Sequence, residues 1–245
     1  RPVIENTTAK LMFRERYEMR QTVRRLLRRL RTTIGVEEMR ELTLDAMVGS
    51  GHAENAAIYL QAEGEFALTL YGFRGHRPPD ALTMAQHPTL LSDFRRDRKP
   101  ILLEQQQARF DDQQRILSDD PTEQREVERI REAIASLKAL NASLMIPMLA
   151  EDRVVGLLTL GKPASVDVYS TDAIAAVLSV AEACAIVIEN SHEYDRLRQR
   201  DRLVAIGEIA TGMAHEIRNP LGAIKGAAQC IVSQQMPPDS QEFLD

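Results

Sequence analysis

One stripe of apolar residues constrains this chain more than anything else in it. Leu203, Ile206, Ala210, Met213, Ile217, Pro220, Ile224, Ala227 and Ile231 follow one another at alternating steps of three and four. That spacing marks one face of a helix that pairs with another helix. With Leu203 at heptad position a, His215 falls at f, farthest from the seam, and Glu216 falls beside it at g. Asn219 lies at c, one turn on from His215 and on the same outer face. Pro220 removes a backbone donor and crowds the carbonyl of Glu216, so the helix is expected to bend or loosen just after the histidine. Proline inside a helix costs on the order of 3 kcal/mol. A coiled coil with no chemistry to perform has no reason to keep it.

The residue types fit a phosphoryl-transfer role. A neutral imidazole nitrogen is a competent nucleophile near neutral pH, and a neighbouring carboxylate can hold its tautomer and stabilise the ring as it becomes positive. The run His215-Glu216-Ile217-Arg218-Asn219-Pro220-Leu221 resembles the phosphoacceptor box of sensor histidine kinases, within their dimerisation and phosphotransfer (HisKA) domain. The resemblance covers roughly 202–245. It implies that His215 is the phosphorylated residue and that Glu216 polarises the ring and accepts a proton. It implies that Asn219 positions the ATP-binding domain, or a water in the reverse reaction. It also implies ATP and Mg, bound by a domain for which this sequence has no Gly-rich phosphate loop. The expected partners are a second copy in a parallel homodimer, that ATP-binding domain and a response-regulator receiver domain. After Pro237-Pro238 a further helix is expected from Ser240.

Charge is unevenly distributed. Residues 1–31 carry nine Arg and one Lys against three Glu, or +7, so the remaining residues carry −12 to reach the net −5. Such asymmetry points to a basic segment meeting something acidic. Residues 8–34 read as a basic amphipathic helix with Met19, Val23, Leu26 and Leu30 as its seam and Arg24, Arg25, Arg28 and Arg29 on the flanks. A solvated coiled coil, a juxtamembrane helix and a nucleic-acid-binding helix all remain open for it, though the scarcity of base-reading side chains argues against the last. The stretch Phe13-Arg14-Glu15-Arg16-Tyr17 resembles the segment after multi-span membrane regions in some sensor kinases. No uninterrupted apolar run of 18 residues occurs, so no spanning helix is expected. No signal peptide is seen. A chain that opens on Arg1 reads as a piece of something longer. Cys184 and Cys230 lie far apart with no CxxC spacing, which suits buried or interfacial thiols and no zinc site.

Gly35 ends the basic helix, and a helix over Val36 to Val48 follows. Ala56 to Leu60 and Phe66 to Phe73 read as strands around a Glu63-Gly64 turn. A loop from Gly75 to Asp80, a short helix over 89–97 and a strand from Lys99 to Glu104 come next. Residues 105–120, rich in Gln and Asp with little periodicity, read as a mobile loop. Asp120-Pro121-Thr122-Glu123 is a helix start, with Val127, Ile130, Ile134 and Leu137 on one face to about Leu140. Ser143 to Leu149 and Val154 to Leu160 form a hairpin. Thr171-Asp172 caps a helix that packs on a sheet through Ile174, Val177, Leu178, Ala181, Cys184 and Ile188. It then runs on without Gly or Pro into 203–231, with a heptad shift somewhere in 198–202.

This order is an α+β domain around an antiparallel sheet with flanking helices. It resembles a GAF domain, the sensory module common upstream of histidine kinases, most closely over 143–190. The expected organisation is a basic coiled-coil or linker helix (1–34), a GAF-like domain (35–190), a signalling linker (191–202) and a dimerisation and phosphoacceptor domain (203–245). GAF domains bind cyclic nucleotides, bilins, haem or small metabolites. Neither cysteine lies on a pocket loop, and the Asn-Lys…Asp-Glu signature of cyclic-nucleotide binders is absent. His52, His76, His87 and His192 are scattered, and Asp111-Asp112 and Asp119-Asp120 lack a Gly turn at EF-hand spacing. No ligand and no metal is therefore named. The expected location is cytoplasmic, with anchorage to a membrane through an upstream region. The competing reading is a non-catalytic coiled-coil scaffold carrying a GAF-like ligand-binding module.

Overall fold

The computed structural model describes residues 18–61, 67–116, 121–151, 153–164 and 168–235. Residues 116, 205, 207–212, 215, 216, 227 and 230–235 are described by their backbone alone. They form two compact units, one running to His192 and one beginning at Glu193.

The first unit is built on one antiparallel sheet of six strands. β1 (Ala56–Gln61), β2 (Leu68–Arg74), β3 (Ala81–Leu82), β4 (Ile101–Leu102), β5 (Leu144–Ala150) and β6 (Arg153–Leu160) lie in the order β3-β2-β1-β6-β5-β4. β5 and β6 are the hairpin read from sequence, paired from Leu144↔Leu160 to Ala150↔Arg153, with a bulge between Met148 and Leu149. β1 lies across β6 from Ala56↔Leu160 to Leu60↔Gly156. Strands β1, β5 and β6 are buried on both faces, and each accordingly reads as a nearly continuous apolar run.

Alternation along the strands makes two cores. Ala56, Ile58, Leu144, Ile146, Leu158 and Leu160 face three helices: α1 (residues 18–30), α2 (Val36–Gly49) and the start of α6 (Thr171–Gln235). Ala57, Tyr59, Met145 and Leu157 face the opposite way, against α3 (Pro88–Asp97) and α5 (Pro121–Ala139). α4 (Leu103–Ile116) lies against α5.

Several expectations are corrected here. The seam of the basic helix is not left open for a partner coil. Met19, Val23, Leu26 and Leu30 are 2–5% exposed within the first core. Gly35 adopts an extended conformation as the N-cap of α2 and does not cap the helix before it. The 105–120 stretch is helical to Ile116. No described side chain of α4 is fully buried, which fits the lack of periodicity in its sequence. It is held by polar contacts, the ion pair Arg109–Glu126 (3.2 Å) and Arg131 stacked 5.7 Å from the centroid of the Phe110 ring. The strand read over 99–104 shrinks to Ile101–Leu102, and the short strand β3 falls in a stretch that carries no strand signal. α6 is capped by Ser170, whose Oγ accepts from the Ala173 N–H at 3.2 Å, one residue before the expected Thr171. The Glu63-Gly64 turn, Asp119-Asp120 and the helix expected from Ser240 lie outside the described residues.

The sheet-covering part of α6 is long and apolar enough, at mean hydropathy 1.9 over its best window, to span a membrane by composition. Its inward stripe is Val177, Val180, Ala181, Cys184, Ala185 and Ile188, all of it buried on the sheet and α2. The apolar run is that of a core helix. Cys184 Sγ lies 3.3 Å from Thr43 Oγ1, and burial pushes its thiol up to about 12. It is an inert packing residue.

Candidate functional site

Two places can carry function: the far face of the sheet and the exposed half of α6. On the far face, Tyr59, Leu82, Leu90, Leu91, Phe94 and Leu137 are buried in the second core. The Tyr59 hydroxyl donates to the Pro79 carbonyl at 2.9 Å, and burial raises its pKa, with Asp80 adding to the shift.

A row of polar contacts clasps α3 to α5 at the rim of this core. His87 Nδ1 lies 3.0 Å from Ser136 Oγ, Thr89 donates to Glu132, and Arg129 pairs with Asp93 at 2.5 Å. Burial lowers the His87 pKa, so the ring is held neutral. Sequence reading missed this clasp. Its partners sit 36 to 49 residues apart, and nothing local marks them as a set.

Beside the clasp, a cleft of about 220 Å³ is lined by charged side chains from α3, α4, α5 and the segment after α3, among them Asp93, Arg96, Asp97, Lys99, Arg109, Glu126 and Arg129. Most of the charges are already matched. Arg129 bridges Asp93 and Glu126, and Arg96 reaches both Asp93 and Asp97. The Arg96 hydrogen bond holds the Asp97 carboxyl below its usual range.

The second place is the C-terminal half of α6. The helix continues unbroken through Pro220 to Gln235. His215, Glu216 and Asn219 all lie on it, and i, i+4 spacing puts His215 and Asn219 one turn apart. Asn219 is exposed, as are Arg218 and Pro220. The side chains of His215 and Glu216 lie outside the described residues. Pro220 donates no N–H to the Glu216 carbonyl, which leaves one backbone acceptor unmatched within the helix next to the histidine.

The apolar seam of this half is uncovered. Leu203 is 69% exposed and Ile224 64%, and Ile206, Met213 and Ile217 are each more than half exposed. Exposed apolar stripes of this length mark interaction surfaces. Leu221 and Val204, on the flank, widen the stripe.

An antiparallel six-stranded sheet with helices on both faces and a long exit helix defines an α+β domain. The GAF domain family matches residues 33–189, more than half of the chain, and the chain belongs to that family. The His Kinase A (phospho-acceptor) domain matches residues 205–245, the span that holds His215, so the chain joins a GAF domain to a HisKA domain as sensor histidine kinases do. Among curated proteins it is similar to the signal transduction histidine-protein kinase AtoS of Escherichia coli (strain K12). The two are 47% identical over 49 residues, 20% of this chain and 8% of that protein. It is 54% identical over 35 residues to the sensor histidine kinase ZraS of the same strain, covering 14% of this chain and 8% of ZraS. It is 49% identical over 45 residues to sporulation kinase E of Bacillus subtilis (strain 168), covering 18% of this chain and 6% of the relative. These segments therefore span less than a tenth of the relatives' lengths. Among solved structures, the chain resembles the GAF domain of a phosphoenolpyruvate-protein phosphotransferase from Coxiella burnetii. The TM-score is 0.52 at 12% identity, over 74% of this chain and 98% of the other. It also resembles free methionine-R-sulfoxide reductase from Neisseria meningitidis, with TM-score 0.50 at 10% identity, over 72% and 91% of the two chains. These two likenesses show the fold alone.

Proposed function

We infer that the chain is the sensory and phosphoacceptor part of a dimeric two-component histidine kinase. The observation that carries this reading is the HisKA match over 205–245 with His215-Glu216 and Asn219-Pro220 on one continuous helix. In the reaction, a nitrogen of the His215 imidazole attacks the γ-phosphoryl group of ATP. The bond from that phosphorus to the bridging oxygen breaks, and ADP leaves. The ring gains a positive charge, which Glu216 stabilises before accepting the ring proton. ATP and Mg are held by a separate ATP-binding domain, which Asn219 helps to seat against the helix. The phosphoryl group then passes to an aspartate of a response regulator.

The proposed division is a basic N-terminal segment to residue 34, with its helix packed on the sensory domain, a sensory domain over 35–190, a linker over 191–202 and the phosphoacceptor domain over 203–245. Two copies pair in parallel through the Leu203–Ile224 seam, with the sensory domains in the cytoplasm. A stimulus alters the sensory domain, and the change travels along α6 through the heptad shift at 198–202. Inserting or removing residues there to restore one continuous heptad locks output on or off. An unchanged response would remove that part of the reading.

The test of the whole is incubation with the cognate ATP-binding domain and labelled ATP. Acid-labile, base-stable label is expected on the protein and absent from His215→Gln. No label, beside a catalytic domain shown to be active on another substrate, assigns the chain to the non-catalytic scaffold class.

A further inference from the structure

Burial of Met19, Val23, Leu26 and Leu30 fixes the rotation of α1 about its own axis. At about 100° per residue, the opposite half of the circumference then carries Glu18 at its N-terminal end and the arginines Arg20, Arg24, Arg25, Arg28 and Arg29, with the sixth arginine, Arg31, in the turn that follows. All six are exposed. They form a strip about 17 Å long, interrupted on its midline by Gln21 alone.

The strip is not neutralised by its surroundings. Several carboxylates of the neighbouring helices are committed elsewhere. Glu37 and Glu41 pair with Arg40, Glu41 and Asp45 pair with Arg74, and Glu189 pairs with Arg153. Of the six arginines, Arg20 reaches a carboxylate, Asp172, at 3.0 Å. Arg25 reaches the Gln21 side-chain oxygen at 3.4 Å. Among the described residues, Arg24, Arg25, Arg28, Arg29 and Arg31 have no carboxylate partner. Five unmatched guanidinium groups on a rigid, half-buried helix are a surface shaped for a polyanion.

We propose that this strip docks the sensory domain on an anionic phospholipid bilayer. The contact is electrostatic and stops at the headgroups. A membrane-inserting amphipathic helix buries its apolar face among the acyl chains, and here that face is spent on the protein core. Guanidinium groups suit the task because each binds a phosphate through paired, planar hydrogen bonds. A planar array of headgroups matches a straight strip that covers half of a helix. A duplex-reading helix would mix its arginines with several amide side chains for the base edges, and this strip has one. Docking would give lipid charge and salt a direct hold on the domain that feeds α6.

The experiment is co-flotation of the 245-residue protein with phosphatidylcholine vesicles, with and without phosphatidylserine, at low and physiological salt. Binding is expected only with phosphatidylserine and should weaken as salt rises. Each arginine near an anionic surface is worth about a fivefold change in partitioning. The triple substitution Arg24→Gln, Arg25→Gln, Arg28→Gln should therefore lower binding on the order of a hundredfold, while the matching Arg→Lys triple keeps it. Circular dichroism confirms that both variants are folded, as expected for exposed positions. Equal binding to uncharged vesicles, no binding to anionic ones, or full binding by the Gln triple would overturn the proposal. So would tighter salt-sensitive binding to duplex DNA than to anionic vesicles, which would assign the strip to nucleic acid.

Discussion

α6 is one helix with two fates. Its first half and its last half carry the same kind of three-and-four apolar stripe. The first half lays Val177, Val180, Ala181, Cys184 and Ile188 on the sheet, where all are buried. The last half leaves Leu203, Ile206, Met213, Ile217 and Ile224 more than half exposed. The first stripe finds its cover among the described residues, and the second does not. The difference separates a GAF domain whose core is closed from a HisKA-matching helix whose apolar face is open among the described residues. A histidine on the outer face of such a helix becomes a usable site once the seam is closed, because pairing turns the stripe inward and holds the opposite face to solvent.

The comparison breaks most visibly when a charge is placed in each stripe. Val180→Asp puts an unpaired carboxylate in the core of the sheet-covering half. It is expected to cost on the order of 4 kcal/mol or more and to abolish the cooperative unfolding transition. Ile217→Asp should leave that transition in place and dissociate the dimer instead. Denaturant unfolding and light scattering together separate the two outcomes, and a dimer that survives Ile217→Asp would erase the distinction between the halves.

Leu26→Ala sharpens the boundary of the complete region. As a core residue 4% exposed, Leu26 should lose about 2–4 kcal/mol on truncation. As the seam residue of a solvated helix it would lose well under 1 kcal/mol. Chemical denaturation decides between the two.

Smaller again is Ser170→Ala, which removes the side chain that accepts from the Ala173 N–H. A loss of about 1 kcal/mol is expected, with Thr171→Ala costing less.

The smallest effect is a pH dependence. His87 is held neutral by burial, so its folded pKa lies below its unfolded one. Its contribution is present above the unfolded value of about 6.5 and is lost as pH falls through that value towards the folded pKa. His87→Gln should flatten the stability profile on the acid side of that point. A profile identical to the parent would show that the ring is not confined in the α3–α5 clasp.

Much of this molecule is legible in its residues, and the parts that are not share a cause. The β5–β6 hairpin, the α5 start at Pro121 and the unbroken α6 each follow from local patterns, and so does the His215 motif with its proline. What eludes such reading depends on distant partners. The stripe Met19-Val23-Leu26-Leu30 has the period of a coil seam, and period alone cannot say whether a sheet or a second helix covers it. No described side chain of α4 is fully buried, and its polar contacts run to Glu126 and Arg131 on another helix. β3 is a two-residue pairing to Leu68 and Thr69, too short to leave a pattern. The clasp from His87 to Ser136 joins residues that local pattern cannot connect. Sequence and structure alike place His215, Glu216 and Asn219 on one helix.

Sedimentation equilibrium of the intact protein at micromolar concentration tests the central claim most directly, because it asks whether the exposed half of α6 is completed by a second copy. Twice the chain mass of 27.6 kDa is the result expected. A stable species of one chain mass would contradict the account.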